Sequence, residues 1–252
     1  MSGHSKWHSI RHKKAIVDTK RGKIFSKVAR LVEVAAREGA DPELNYKLRL
    51  AIEKAREVNM PKENVDRAIA KGSGASGGAQ LEEVTYEGFG PASTALLIEV
   101  LTDNRNRAAS EVRTALMKHG GALGGAGASS WMFKKAGLIR IDTAGMGQNE
   151  AEELELSAID AGAKDIKKET NSLEIYTDPK NLSKVKEALK EKGYEATQSE
   201  ILQIPQNTVK IKGEAEASKI LKLLDALEEL DDVQSVASNF DIPDEVLDKL
   251  SS

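Results

Sequence analysis

The run Gly72-Ser73-Gly74-Ala75-Ser76-Gly77-Gly78 divides this 252-residue chain, because the spacing of apolar residues changes across it. Before it the period is helical. From Thr19 to Arg37, at about 100° per residue, Ile24, Val28, Leu31, Val32 and Ala35 share one side. Lys20, Lys23, Lys27, Arg30 and Arg37 occupy a separate arc, so one face suits a core and another suits solvent or a ligand. Gly39 marks a stop, and Asp41-Pro42 offers a cap with proline at the first helical position. Leu44, Leu48, Ala51, Ile52, Ala55 and Val58 predict a second helix. After the break at Asn59-Met60-Pro61, Val65, Ala68 and Ile69 predict a third, ending at Gly72.

Beyond the glycine run the pattern is that of strands. Val84–Glu87 and Thr94–Thr102 flank the turn cluster Gly88-Phe89-Gly90-Pro91. Asp103-Asn104 can cap a helix from about Arg105 to His119. A glycine-rich loop then runs from Gly120 to Gly127, and Trp131-Met132-Phe133 reads as the opening of another strand. Gly137–Pro205 reads as a self-contained βαββαβ unit, with Asn149 and Glu152 as a capping box on its first helix. Thr208–Ala237 reads as a βαβ piece too small to bury its own face, and Thr94–Phe133 has the same deficit. Pairing the two into one sheet around the βαββαβ insertion removes both deficits.

The expected fold class is therefore α+β in three domains: an N-terminal three-helix bundle, a discontinuous ferredoxin-like α/β middle domain and an inserted βαββαβ domain. The expected boundaries are 1–72 for the basic arm and bundle, 73–80 for the linker, 81–135 with 206–242 for the middle domain, 136–205 for the insertion and 243–252 for a tail.

Charge is unevenly spread along this plan. Formal net charge is −3, yet Met1–Arg30 holds nine basic residues against the single acid Asp18. Met1–Gly78 has 17 basic and 9 acidic residues, and the remainder has 20 and 31. Such polarity is the electrostatic footprint of a partner that is itself a polyanion, with an acidic remainder that repels phosphate. With no cysteine, disulfides and thiolate chemistry are excluded. No apolar run reaches the roughly 20 residues of a bilayer span, and the basic N-terminus lacks an apolar signal region. The expectation is a cytoplasmic protein without a membrane partner.

Residues 2–18 show no period and read as an extended or mobile arm. Lys6, Arg11, Lys13, Lys14, Lys20, Arg21, Lys23, Lys27 and Arg30 are candidate phosphate contacts, and Trp7 could stack on an unpaired base. His4, His8 and His12 can donate to phosphate or 2′-hydroxyl groups. The bland alternative is a solvated tail. The three histidines are spaced by four, as metal ligands on a helix would be, but no helical pattern or carboxylate accompanies them. A second candidate contact is Asn104, Arg105 and Arg107 at a helix N-terminus, where anions are favoured, with Arg113 further on; capping and surface ion pairs are the alternative. The Gly120–Gly127 loop lacks the lysine ending of a phosphate-gripping loop and follows a helix instead of opening one. It reads as a flexible loop for close approach to a partner, or as a long turn. No nucleophile, metal set or cofactor motif stands out, so an enzyme and a small-molecule substrate are not expected, nor any cofactor.

Gly3-His4-Ser5-Lys6-Trp7, Lys20-Arg21-Gly22-Lys23-Ile24-Phe25-Ser26-Lys27, Tyr86-Glu87-Gly88-Phe89-Gly90-Pro91, Thr102-Asp103-Asn104-Arg105-Asn106-Arg107 and Gly120-Gly121-Ala122-Leu123-Gly124 together resemble the YebC/PmpR family, which includes the mitochondrial translational activator of cytochrome c oxidase. The resemblance runs through essentially the whole chain. Ala108 and Ala128-Ser129 depart from the family pattern. The resemblance implies the three-domain plan and a non-enzymatic regulator of gene expression. Two activities are implied: binding of promoter DNA as a transcriptional regulator, and association with the ribosome and its RNA as a translation factor easing synthesis through proline runs. The residues favour irregular RNA, since no helix-turn-helix with base-reading side chains is evident. A protein–protein scaffold that uses its basic arm is the alternative of another class.

Overall fold

A computed structural model describes residues 18–74 and 81–251, with α1 side chains from Gly22 onward. The chain forms two compact units: residues 1–132 with 205–252, and residues 133–204.

The first unit begins with helices α1 (Asp18–Ala36), α2 (Tyr46–Glu57) and α3 (Lys62–Gly72). Val28, Val32, Ala36, Leu48, Ala55 and Val65 form their shared aliphatic core, following the stripes expected from the spacing. α2 starts later than Asp41-Pro42 suggests. Its cap is Asn45, whose side chain accepts from Leu48 N at 3.1 Å. The Asn45 amide also donates to the carbonyls of Ala35 (2.7 Å) and Gly39 (2.8 Å), so one buried side chain closes one helix and opens the next. α1 and α3 meet at Gly72, where a Cβ would lie 2.1 Å from the Glu33 carbonyl oxygen. Beside this crossing the buried carboxylate of Glu33 pairs with Lys71 at 2.9 Å. Gly72→Ala is therefore expected to destabilise the bundle by about 1–3 kcal/mol, the usual range for overpacking, as read by urea denaturation.

The rest of this unit is a four-stranded sheet in the order β3-β1-β2-β9, made of β1 (Glu82–Phe89), β2 (Ala95–Thr102), β3 (Ala122–Leu123) and β9 (Val233–Ser238). β2 pairs antiparallel with both β1 and β9, so strands on either side of the insertion meet in one sheet. Helices α4 (Arg105–Lys118) and α7 (Glu214–Glu228) pack on it through Val112, Leu116, Ile220 and Leu224 against Leu96, Ile98 and Val236. β8 (Val209–Lys210) does not join this sheet as a βαβ piece would. It pairs in parallel with β10 (Phe240–Asp241), ahead of helix α8 (Asp244–Ser251).

The second unit contains β4 (Phe133–Asp142), α5 (Gln148–Ala161), β5 (Asp165–Lys168), β6 (Ser172–Thr177), α6 (Leu182–Glu191) and β7 (Ala196–Pro205), whose last residue falls in the first unit. Its sheet order is β5-β6-β4-β7, as a βαββαβ unit requires. Ile139, Ile141, Leu154, Ile175, Leu182 and Leu189 are among its fully buried residues. Gly147 caps α5, in place of the expected Asn149. The buried Glu174 accepts from Arg140 and from the Tyr176 hydroxyl at 2.6 Å. The middle sheet repeats this arrangement in a permuted chain order. β9, β2, β1 and β3 take the places of β7, β4, β6 and β5, with β1 supplied before β2 instead of after the first helix.

Candidate nucleic-acid interface

Lys6, Trp7, His8, Arg11, His12, Lys13 and Lys14 lie outside the described residues. Lys20 and Arg21 fall in the opening turn of α1. Of the remaining candidates, Lys23, Lys27, Arg30 and Arg107 converge on one place, the C-terminal end of α7 and the residues that follow it.

That end is electrostatically awkward. α7 ends at Glu228 with Glu229 as its cap, and Asp231 and Asp232 follow, acids at the negative pole of a helix dipole. The compensating charge comes from α1. Lys27 Nζ donates to the Glu228 carbonyl at 2.5 Å, and Lys23 Nζ donates to the Glu229 carbonyl at 3.3 Å and lies 3.8 Å from Asp231. Arg30 donates to the Asp231 carbonyl at 2.9 Å and to Asp232 Oδ1 at 2.6 Å. Cations capping the last carbonyls of a helix are a known means of satisfying them, but here they arrive from a helix about 200 residues away in sequence. Lys23, Lys27 and Arg30, expected on a ligand-facing surface, thus have partners within the chain.

Asp232 is the hub. Its side chain is only 5% exposed, and its other oxygen accepts from Arg107 at 2.7 Å and Thr102 at 2.8 Å. Burial alone would raise its pKa; the hydrogen bonds from Arg107, Thr102 and Arg30 outweigh that and hold it below the usual carboxylate range. Arg107 also reaches Asp103 at 2.8 Å, and its hydrogen bond to Asp232, followed by that to Asp103, raises its pKa further. Asn104 caps α4 as expected, accepting from Arg107 N at 3.1 Å. Arg105 pairs with Glu82 at 2.9 Å on the surface, while its carbonyl accepts from Tyr86 Oη. Arg113 is exposed two turns along α4. Arg30, Asn104 and Arg107 therefore belong to one network, whereas Arg105 and Arg113 stay at the surface.

Two further features were not among the expected site residues. Glu87 on β1 organises the glycine loop: Oε1 accepts from Gly127 N (2.8 Å), and Oε2 from Ser129 N (2.6 Å) and Ser130 N (2.7 Å). Burial pushes the Glu87 pKa up, but the backbone donors Ser129, Gly127 and Ser130 more than reverse this, leaving it lowered. Gly121 permits the loop to return to β1, since a Cβ there would stand 2.7 Å from the Phe89 carbonyl oxygen. The second feature is Trp131. It sits on a 3-10 turn, Ser130–Met132, instead of opening a strand, and it is 62% exposed. A carboxylate whose pKa is depressed by folding stabilises the fold above its unfolded pKa, and loses that contribution as pH falls through its folded value. Loop order should therefore be constant from neutrality to about pH 5 and decline below about pH 4. Trp131 emission in a Trp7→Phe background reads this, and Glu87→Gln should show the loosened signal already at pH 7.

Among the described residues no group of three or more His, Asp or Glu is placed to hold a metal. No helix among them is long and apolar enough to cross a membrane.

The family model of the TACO1/YebC second and third domain matches residues 81–240, and that of the TACO1/YebC protein N-terminal domain matches residues 5–75. This chain belongs to the TACO1/YebC family. It is 49% identical over 252 residues to a "Probable transcriptional regulatory protein" of Halothermothrix orenii, covering all of this chain and 99% of the relative. A protein of the same description from Dictyoglomus thermophilum is also 49% identical, with both chains fully covered. A crystal structure of a conserved hypothetical protein from Aquifex aeolicus superposes with a TM-score of 0.82 at 47% identity, covering 92% of this chain and 95% of that one. The three-domain α+β plan is thus that of the TACO1/YebC family.

Proposed function

We propose that this TACO1/YebC protein is a non-enzymatic regulator of gene expression that binds nucleic acid through its leading segment, with RNA of the ribosome as the target. The observation that carries this is how the cations of positions 1–30 divide. Lys23, Lys27 and Arg30 are engaged by the end of α7. The six basic residues of positions 1–21 stand ahead of them, against the single acid Asp18, with Trp7 among them. A helix held at its middle by ion pairs presents such a segment from a fixed point. Lys and Arg there would neutralise phosphates and release counterions, and Trp7 and the histidines suit unpaired bases and 2′-hydroxyls.

Promoter DNA is the second reading, favoured by the name the relatives carry. α2 and α3 are joined by a short turn, which makes α3 the helix to place in a major groove. Its opening turns expose Glu63 and Asp66 together with Lys62 and Arg67, so it brings no net positive charge to a phosphate-lined groove. This favours RNA. The narrower role, easing synthesis through proline runs, rests on the family resemblance. Crosslinking in cells followed by sequencing of the bound nucleic acid tests the reading. Clustered ribosomal RNA is the expected result; promoter DNA in its place would transfer the proposal to transcription. Association with ribosomes that survives nuclease unchanged would favour a protein scaffold.

A further inference from the structure

Trp131 is the most exposed aromatic side chain among the described residues, at 62%. A tryptophan gains more from burial than almost any other side chain, so one held out in solvent asks for an explanation. The main chain beneath it is anything but loose. On its N-terminal side, Gly127, Ser129 and Ser130 donate to the Glu87 carboxylate, and Ser129 Oγ donates to the Leu96 carbonyl within the sheet at 2.8 Å. Met132 N closes the turn on the Ser129 carbonyl at 2.9 Å. On the other side, Gln206 N donates to the Met132 carbonyl at 2.8 Å, and Gln206 Nε2 donates to the Trp131 carbonyl at 3.0 Å. An exposed indole on a backbone tied from both directions is pre-organised for contact, which removes part of the ordering cost of binding.

The chemistry around it selects the occupant. Ahead of the indole lies Gly124-Gly125-Ala126-Gly127, which offers almost no side chain to obstruct a ligand. Glu87 is the acid at this turn, and both its oxygens are turned to N–H groups of the loop. Tryptophan faces stack on any base, without regard to sequence.

We propose that Trp131 is a stacking platform for one unpaired nucleobase of a single-stranded RNA segment. The proposal rests on the reading that nucleic acid is the ligand, and adds a base contact remote in sequence from the basic arm. The chain has two tryptophans, so Trp7→Phe leaves Trp131 as the sole indole emitter in the full-length protein. The probe is a single-stranded RNA of about ten nucleotides, followed both by indole quenching and by anisotropy of an end label. Saturable quenching should follow the anisotropy curve. Trp131→Ala should weaken binding by about 5- to 150-fold, and Trp131→Phe should restore most of it. Because the side chain is exposed, Trp131→Ala should leave the melting curve in place, which separates the absence of stacking from a failure to fold. Full anisotropy binding with unmoved Trp131 emission, and with Trp131→Ala binding as its parent does, would overturn the platform while leaving nucleic-acid binding intact. Absence of RNA binding in every arm would overturn both. Unchanged RNA affinity in Trp131→Ala, together with loss of nuclease-resistant ribosome retention, would assign the indole to a protein pocket and also overturn the proposal.

Discussion

Replacing Asp232 with alanine is expected to lower the stability of the first unit by about 2 kcal/mol, in urea denaturation followed by helical signal. Removing one partner of a buried, hydrogen-bonded pair commonly costs about 3–5 kcal/mol, because the other charge is stranded. Arg30 and Arg107 are 28% and 44% exposed and can turn to water, so the cost falls below that range, to about 2 kcal/mol. Asp232→Asn keeps an acceptor but loses the charge, and should cost about 1 kcal/mol. Hydrogen exchange should quicken most along α1, which then holds the end of α7 by Lys23, Lys27 and the Arg30 bond to the Asp231 carbonyl. The pH dependence follows from the depressed pKa of Asp232. Its contribution is complete above the unfolded carboxylate value and disappears as pH falls through the folded one. The stability difference between parent and Asp232→Ala should thus be flat at neutral pH and close below about pH 4. Equal stability of the two at pH 7 would mean that the hub does not bind the bundle to the sheet.

The larger effect is expected on affinity. Neutralising Lys6, Arg11, Lys13, Lys14, Lys20 and Arg21 together, each to Gln, should weaken single-stranded RNA binding by about 10²- to 10⁴-fold near 0.1 M salt, as about three to six phosphates go without a neutralising cation. The companion variant Lys23→Gln, Lys27→Gln should behave differently. Those lysines cap carbonyls of α7, so the change should appear in stability, with RNA affinity altered little. A common loss of affinity in both variants would mean that the α1 cations leave α7 for the ligand.

How much of the fold and the site is legible in the sequence depends on the range of each interaction. The stripe Ile24, Val28, Val32, the Asn104 cap and the βαββαβ period of Gly137–Pro205 are local, and the structure follows them. Periodicity also separates the basic face of α1 from its apolar one. It cannot say that Glu228–Asp232, some 200 residues on, occupy that face. A hint is present, since acids at the end of a helix oppose its dipole and need a cation from elsewhere. Trp131-Met132-Phe133 looks like a strand because all three are apolar. Hydrogen bonds from the preceding loop to Glu87, more than 40 residues earlier, make a turn there and leave the indole outside. Asp41-Pro42 is an acceptable local start for α2, but Asn45 meets three partners at once and prevails.

The charge that meets RNA resides in the leading segment and not in the middle of α1, and salt dependence tells the two apart. The direct measurement is the slope of log affinity against log salt for single-stranded RNA, taken on the parent, the six-fold arm variant and the Lys23→Gln, Lys27→Gln variant. The arm variant should lose about 0.7 in slope for each phosphate contact removed, up to about 4 in all, while the helix variant keeps the parental slope. A parental slope in the arm variant would place the phosphate contacts elsewhere on the chain and contradict the account.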